Sequence, residues 1–125
     1  MVKEEKDILL VEDDIDTLEG WAELLKDAGY RVSGASSYEE GRRRLDSPVD
    51  MLITDIRLGE YNGLQLVVQT RAAHPNIPVI VLTAHHDLVL KSEAERFNAV
   101  YMLKPVRVDQ MLACIAEMLE ATTKH

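Results

Sequence analysis

Five short runs of apolar residues recur along the chain, and the segments between them alternate polar and apolar residues with a helical spacing. The runs cover residues 8–11, 30–35, 51–54, 79–82 and 100–103. The first, third and fourth are almost continuously apolar, which is typical of strands covered on both faces in a parallel sheet. Strands that alternate with helices in this way predict an α/β fold.

The segments between the runs carry the three-to-four-residue spacing of amphipathic helices. Four apolar residues of the first helix share one face, which predicts that this face is buried: Ile15, Leu18, Ala22 and Leu25. Gly29 is placed to end that helix. Further helices are predicted around residues 38–46, 64–73, 90–97 and 108–119. The complete pattern is (βα)₅, a doubly wound parallel sheet of five strands with helices on both faces.

Charge and composition narrow the class of protein. The chain has 22 acidic and 14 basic residues, and its net charge of −8 argues against direct binding of nucleic acid. The single cysteine, Cys114, cannot form an internal disulfide, which indicates a reducing compartment. No apolar run reaches the roughly 18 residues of a membrane span, and the first six residues, MVKEEK, are too charged for a signal peptide. We therefore expect a cytoplasmic protein without membrane contact.

Polar side chains follow four of the five predicted strands. In a doubly wound sheet, sites form outside the carboxyl ends of the strands. These positions hold Glu12 and Asp13 after the first strand, Asp55 after the third, Thr83 after the fourth and Lys104 after the fifth. Three carboxylates, a hydroxyl and an ammonium group are therefore expected to meet at one edge of the sheet.

This combination suits the transfer of a phosphoryl group to a carboxylate. Crowded carboxylates repel one another unless a cation neutralises them, and Mg²⁺ prefers carboxylate oxygens, a carbonyl and waters. A carboxylate can then attack phosphorus to form an acyl phosphate. The metal and Lys104 would offset the charge of the phosphoryl oxygens, and the Thr83 hydroxyl could bond one of them.

Five segments make the chain resemble a bacterial response-regulator receiver domain of the CheY-like type. They are ILLVEDD at 8–14, LITDIRL at 52–58, NGL at 62–64, VIVLTA at 79–84 and YMLKP at 101–105. Each segment alone is weak evidence for the family, but the five segments in this order and at these spacings are strong evidence. The resemblance implies a flavodoxin-like fold with strand order 2-1-3-4-5. It also implies a single receiver domain over residues 1–125, with a core at about 7–121 and no effector domain in this chain.

The resemblance implies roles for the acidic residues at the strand ends. Asp55 would be the phosphoacceptor. Glu12, Asp13 and Asp55 would hold Mg²⁺, with Glu12 acting through water and the main-chain carbonyl of Arg57 completing the protein ligands. No organic cofactor is implied.

The resemblance also implies that Thr83 bonds the phosphoryl group and that Lys104 pairs with it, next to a cis Lys104–Pro105 bond. Tyr101 occupies the position of a switch aromatic in this family, although half-buried packing with its hydroxyl at the rim explains a tyrosine there equally well. Arg57 and His85 stand two residues after Asp55 and Thr83, at positions that help to set the lifetime of the acyl phosphate. Gly59 replaces a common proline, which predicts a more mobile loop after Asp55.

As a receiver, the chain would act as a phosphorylation-activated switch. A phosphohistidine of a sensor histidine kinase or a phosphotransfer protein would donate to Asp55, and the face of helix four, strand five and helix five would then change. The implied partners include an effector domain or downstream protein, and a homodimer through that face or through helices one and five. The domain would catalyse only its own phosphorylation and dephosphorylation, so we do not expect an enzyme.

Three other functions compete with this interpretation. A haloacid-dehalogenase-like Mg²⁺ phosphohydrolase needs a second aspartate where this chain has Arg57. A flavodoxin-like cofactor binder needs a phosphate loop where Glu12 and Asp13 would repel a phosphate. A degenerate receiver that acts as a phosphorylation-independent interaction module would not need all five types of site residue. Trp21 stays open to two interpretations, as packing against the last helix or as an anchor for a partner.

Overall fold

The computed structural model describes residues 5–123. Its main elements are β1 (Asp7–Val11), α1 (Ile15–Asp27), β2 (Arg31–Ala35), α2 (Tyr38–Arg44), β3 (Met51–Asp55), α3 (Gly63–Ala73), β4 (Val79–Thr83), α4 (Leu88–Arg96), β5 (Val100–Leu103) and α5 (Val108–Thr123). Residues 1–4, which enter the expectation that no signal peptide is present, lie outside this range. No helix in the described range combines the length and the apolar character needed to cross a membrane.

The five strands form one parallel sheet in the order β2-β1-β3-β4-β5, which confirms the predicted order 2-1-3-4-5. Neighbouring strands are nearly level at their carboxyl ends, because Val11 pairs with both Ala35 and Thr54, and Thr83 pairs with Leu103. The residues that directly follow the strands therefore lie along one edge. This edge is where the sequence places its chemically active side chains.

Helices cover both faces of the sheet, which explains why its central strands are buried at almost every position. Leu9 and Val11 of β1 face a core completed by α2, α3 and α4. Ile8 and Leu10 of the same strand face the opposite core, completed by α1 and α5. The alternation follows from the two-residue period of a strand. Trp21 is half-buried and packs against this second core.

The predicted buried face of α1 is only partly correct. Leu25 is fully buried and Leu18 is half-buried, but Ile15 is 50% exposed. Ile15 is the first residue of the helix, directly after the N-cap Asp14, so it lies at the carboxyl edge of the sheet rather than over its face. At the other end Gly29 has a φ of +102°, as predicted for a helix-terminating glycine.

Hydrogen bonds from Arg71 connect the carboxyl-terminal end of α4 to α3. Arg71, on α3, donates hydrogen bonds to the main-chain carbonyls of Phe97 at 2.7 Å and Asn98 at 3.2 Å, just beyond α4. Its guanidinium also donates to the carbonyls of Ile77 and Pro75 in the loop before β4. A guanidinium has five N–H donors in a fixed plane, so one side chain can tie three segments together.

Candidate functional site

The carboxyl ends of β1, β3, β4 and β5 surround one open cavity of about 260 Å³. The sequence-predicted site residues that line it are Glu12, Asp13, Asp55, Arg57, Thr83 and Lys104, joined by Asp14, Thr17, Leu82, Ala84 and His85. Tyr101 is outside this lining but contacts it through the backbone of His85. The topology therefore brings together six residues that are up to 92 positions apart in sequence.

Lys104 lies between two nearly buried carboxylates. Its Nζ is 2.8 Å from Glu12 Oε1 and 2.7 Å from Asp55 Oδ1, and its side chain is 30% exposed. The main-chain N–H of Lys104 also donates to the carbonyl of Thr83 at 2.7 Å, which fixes the backbone where β5 ends. The Lys104–Pro105 bond is cis, as predicted.

The three charged groups shift one another's protonation. Burial raises the pKa of Asp55, and the neighbouring carboxyl of Glu12 raises it further, while Lys104 opposes both effects. Burial also raises the pKa of Glu12, but its hydrogen bonds with Asp55 and Lys104 outweigh burial, and the pKa is lowered. The pKa of Lys104 is raised because two carboxylates hold its charge against the effect of burial. Carboxylate oxygens of Glu12 and Asp55 lie within 4.8 Å of each other. Two carboxyl groups this close are more stable with one proton between them than with two negative charges.

The acidic residues have the composition and spacing of a divalent-cation site. Carboxylate oxygens of Glu12, Asp13 and Asp55 lie within 4.8 Å of one another. Asp55 Oδ1 is buried and, within the described residues, receives no hydrogen bond of good direction, although the Lys104 ammonium is close. Oxygen ligands and a free carboxylate lone pair suit Mg²⁺, so these residues fit the metal that the sequence predicts. The carbonyl of Arg57 stays a predicted ligand.

The hydroxyl groups of Thr83 and Tyr101 converge on a single acceptor. Thr83 Oγ1 donates to the carbonyl of His85 at 3.1 Å, and the Tyr101 hydroxyl donates to the same oxygen at 3.2 Å. The Tyr101 hydroxyl also accepts from the backbone N–H of Asp87, the N-cap of α4, at 3.2 Å. The loop between β4 and α4 is therefore hydrogen-bonded to Thr83 at the cavity and to Tyr101 on β5.

Two structural requirements of the site were missed in the sequence. A Cβ built on Gly63 would overlap the carbonyl oxygen of Asp55 and lie 2.9 Å from its carbonyl carbon, so only glycine fits there. Asn62 and Gly63 belong to the NGL segment of the resemblance, and Asn62 caps α3 by accepting from Leu64 N–H at 2.8 Å. The second requirement is a hairpin formed by Arg57–Leu58 and Tyr61–Asn62, where the sequence predicts only a loop.

A protein-family model described as the response regulator receiver domain matches residues 8–116. Among curated proteins, the chain is 37% identical over 115 residues to the alginate biosynthesis transcriptional regulatory protein AlgB of Pseudomonas aeruginosa. It is also 37% identical over 117 residues to the transcriptional regulatory protein GlrR of Escherichia coli K12. Each match covers 90% of this chain and 26% of the relative. The chain thus spans about a quarter of the length of these relatives.

Solved structures match the fold over nearly the whole chain. A CheY-like receiver domain protein from Methanospirillum hungatei superposes with a TM-score of 0.93 at 27% identity, covering 97% of this chain and 98% of that one. A receiver domain protein from Clostridium thermocellum superposes with a TM-score of 0.88 at 28% identity, covering 94% and 97%.

Proposed function

Because the chain belongs to the response-regulator receiver domain family, we propose that it is a phosphorylation-activated switch of a two-component phosphorelay with Asp55 as phosphoacceptor. One observation carries the proposal. A buried carboxylate oxygen of Asp55 lies at an open cavity, 2.7 Å from an ammonium group, without a well-directed hydrogen bond. Such an oxygen keeps a lone pair without a hydrogen-bond partner, and it has a cation beside it to offset the charge of an added phosphoryl group.

Glu12, Asp13 and Asp55 would hold Mg²⁺, with the main-chain carbonyl of Arg57 as a further ligand. When bound, the metal supplies positive charge to the carboxylates and to the phosphoryl oxygens. Lys104 supplies a second cation from the β5 side, and its ion pair with Glu12 keeps the ammonium directed at Asp55. Lys104 and the metal ligands would thus stabilise the phosphoryl group on Asp55, and the proposed function involves no turnover of an external substrate.

In the transfer step, a carboxylate oxygen of Asp55 forms a bond to phosphorus as the bond between phosphorus and the donor nitrogen breaks. The electron pair of that bond leaves with the donor imidazole, which takes a proton from solvent. The donor would be a phosphohistidine on a sensor histidine kinase or a phosphotransfer protein in the cytoplasm. Asp55 has to be deprotonated to act as nucleophile, and the cations beside it favour that form.

The conformational signal would begin at Thr83. To donate to a phosphoryl oxygen, the Thr83 hydroxyl has to give up its bond to the His85 carbonyl, an acceptor that it shares with Tyr101. The loop that leads into α4 is then free to move with Tyr101, and the surface of α4, β5 and α5 changes for an effector domain or a downstream protein. Phosphorylation acts in this way when a local charge selects between two packings.

Intact mass spectrometry after incubation with acetyl phosphate and Mg²⁺ tests the proposal. The wild-type protein is expected to gain one phosphoryl group, Asp55→Asn none, and the matched control Asp16→Asn as much as wild type. Asp16 is exposed on α1 near the cavity but does not line it. Equal phosphoryl uptake by wild type and Asp55→Asn would overturn the assignment.

The double substitution Arg57→Ala, His85→Ala is expected to shorten the half-life of phospho-Asp55. Both side chains are exposed and line the cavity, where bulk excludes the attacking water and positive charge holds the phosphoryl group. A change of 1.4 kcal/mol in the barrier alters the rate about tenfold, which sets the scale of the effect. Loss of radiolabelled phosphate over time measures it, and a half-life that is unchanged or longer contradicts it.

A further inference from the structure

The segment after β3 forms a closed hairpin whose turn requires glycine. Arg57 pairs with Asn62 and Leu58 pairs with Tyr61, leaving Gly59 and Glu60 as a two-residue turn. Gly59 has a φ of +63°, the conformation that tight hairpin turns demand at this position. Proline is fixed near −65° and could not occupy this turn. The departure from the usual receiver pattern therefore corresponds to a different local structure.

The inner side of the hairpin contacts the acidic cluster. The main-chain N–H of Gly59, which proline would lack, donates to Asp13 Oδ2 at 3.3 Å. Leu58 is buried in the core that α2, α3 and α4 complete, and Arg57 lines the cavity. The position of this hairpin therefore determines where the Asp13 carboxylate and the Arg57 main chain lie relative to Glu12 and Asp55.

The outer side of the hairpin is held by an aromatic stack. The rings of Tyr61 and Tyr38 are stacked, with centroids 4.7 Å apart and planes at 13°. Tyr38, the first residue of α2, is half-buried against the core and bonded through its hydroxyl to Gln69 of α3. Tyr61 is 43% exposed, and the stack joins its ring to the fixed part of the fold. An isolated hairpin with only two residue pairs is not stable in water, so it depends on contacts with the rest of the fold.

We propose that Tyr61 is a positioning residue for the metal site, a statement that rests on the proposed function. Its stack on Tyr38 keeps the hairpin closed against Asp13, and so keeps the Arg57 carbonyl and the Asp13 carboxylate in place for Mg²⁺. Tyr61 itself touches neither the metal nor the phosphoryl group.

Isothermal titration of the full chain with Mg²⁺ tests this role. Tyr61→Ala is expected to raise the Kd at least about threefold, within the range that loss of a stacked aromatic pair gives. Tyr61→Phe keeps the ring and is expected to stay within about twofold of wild type. The control Leu24→Ala removes a similarly exposed apolar side chain, 39% exposed, near the far end of α1, and is expected to leave the Kd unchanged.

Hydrogen exchange of the metal-free protein separates positioning from general stability. Tyr61→Ala is expected to speed exchange of the Gly59 and Asn62 amides while the urea midpoint of global unfolding stays close to wild type. Faster exchange with an unchanged Kd would show that the hairpin does not position the metal, and unchanged exchange would show that the stack does not hold the hairpin. A Tyr61→Phe variant as weak as Tyr61→Ala would also overturn the role of the stack.

A comparison of Asp13→Ala with Asp16→Ala distinguishes failure of this inference from failure of the proposed function. Asp13→Ala is expected to weaken Mg²⁺ binding strongly, whereas Asp16→Ala is not. Equal affinity in these two variants would place the cation elsewhere and overturn the proposed metal site whatever Tyr61→Ala does. Weak binding by Asp13→Ala alone, with normal binding by Tyr61→Ala, would overturn only the role of Tyr61.

Discussion

Replacing Gly63 with alanine is expected to destabilise the protein by about 3 kcal/mol or more, the upper range for overpacking a buried position. The added Cβ meets only backbone, because it overlaps the Asp55 carbonyl oxygen and lies 3.2 Å from Ile56 Cα. To relieve the overlap, the start of α3 has to move away from the end of β3. That movement stretches the hydrogen bond from Gly63 N–H to the Ile56 carbonyl, which is 2.5 Å long.

Urea unfolding of Gly63→Ala and Gly20→Ala measures this effect against a control of opposite sign. Gly20 is exposed in α1, and a Cβ there has no neighbour within 4 Å. Alanine at that position is expected to stabilise by about 0.5–1 kcal/mol through helix propensity. We also expect Gly63→Ala to lose phosphoryl uptake, since the carbonyl that it displaces belongs to Asp55. A midpoint equal to wild type would contradict the steric requirement.

Replacing Lys104 with methionine is expected to lower the stability of the metal-free protein by about 2 kcal/mol at pH 8. Removing one partner of a buried ion pair costs about 3–5 kcal/mol, reduced here because the Lys104 side chain is 30% exposed. Mg²⁺ is expected to bind about tenfold more tightly to the variant, because a cation a few ångströms away no longer repels it. The metal should therefore stabilise Lys104→Met more than it stabilises wild type.

The stability cost of Lys104→Met should also depend on pH. Because the pKa of Asp55 is raised in the folded protein, the protonated carboxyl of Asp55 stabilises the fold. This stabilisation is lost as the pH rises through the pKa that Asp55 has in the folded protein. In wild type Lys104 lowers the pKa of Asp55, so less of this stability is lost as the pH rises. The difference between the two proteins is therefore expected to shrink as the pH falls from 8 towards 5. Urea midpoints at both pH values measure it, with Lys91→Met, an exposed lysine on α4, as the control.

The convergence of the site residues could be predicted from the sequence because it depends on chain topology. Once the apolar runs are taken as parallel strands, the residues after them have to meet at one edge. The prediction needs no knowledge of side-chain conformation, and the structure places Lys104 in contact with both Glu12 and Asp55. The end of the first helix could be predicted from local chemistry, since Gly29 adopts the positive φ expected of a helix-terminating glycine.

The parts that sequence reasoning missed depend on approaches between distant segments. The need for glycine at residue 63 arises from the carbonyl of Asp55, eight residues earlier, and no local propensity reveals it. Tyr38 and Tyr61 stack across a separation of 23 residues, so neither position alone predicts the hairpin. Ile15 satisfies a helical apolar pattern, yet its exposure depends on where the helix begins relative to the sheet.

Two of the carbonyl bonds made by Arg71, to Phe97 and Asn98, fix the carboxyl-terminal end of α4 to α3. The other end begins with Leu88 and Val89, both 70% exposed, and follows the loop that Thr83 and Tyr101 hold. A helix of nine residues is about 13 Å long. A tilt of roughly 10° about the fixed end would displace the amino-terminal end by about 2 Å, so in the proposed switch a shift of the Thr83 hydroxyl would move the surface at Leu88 and Val89.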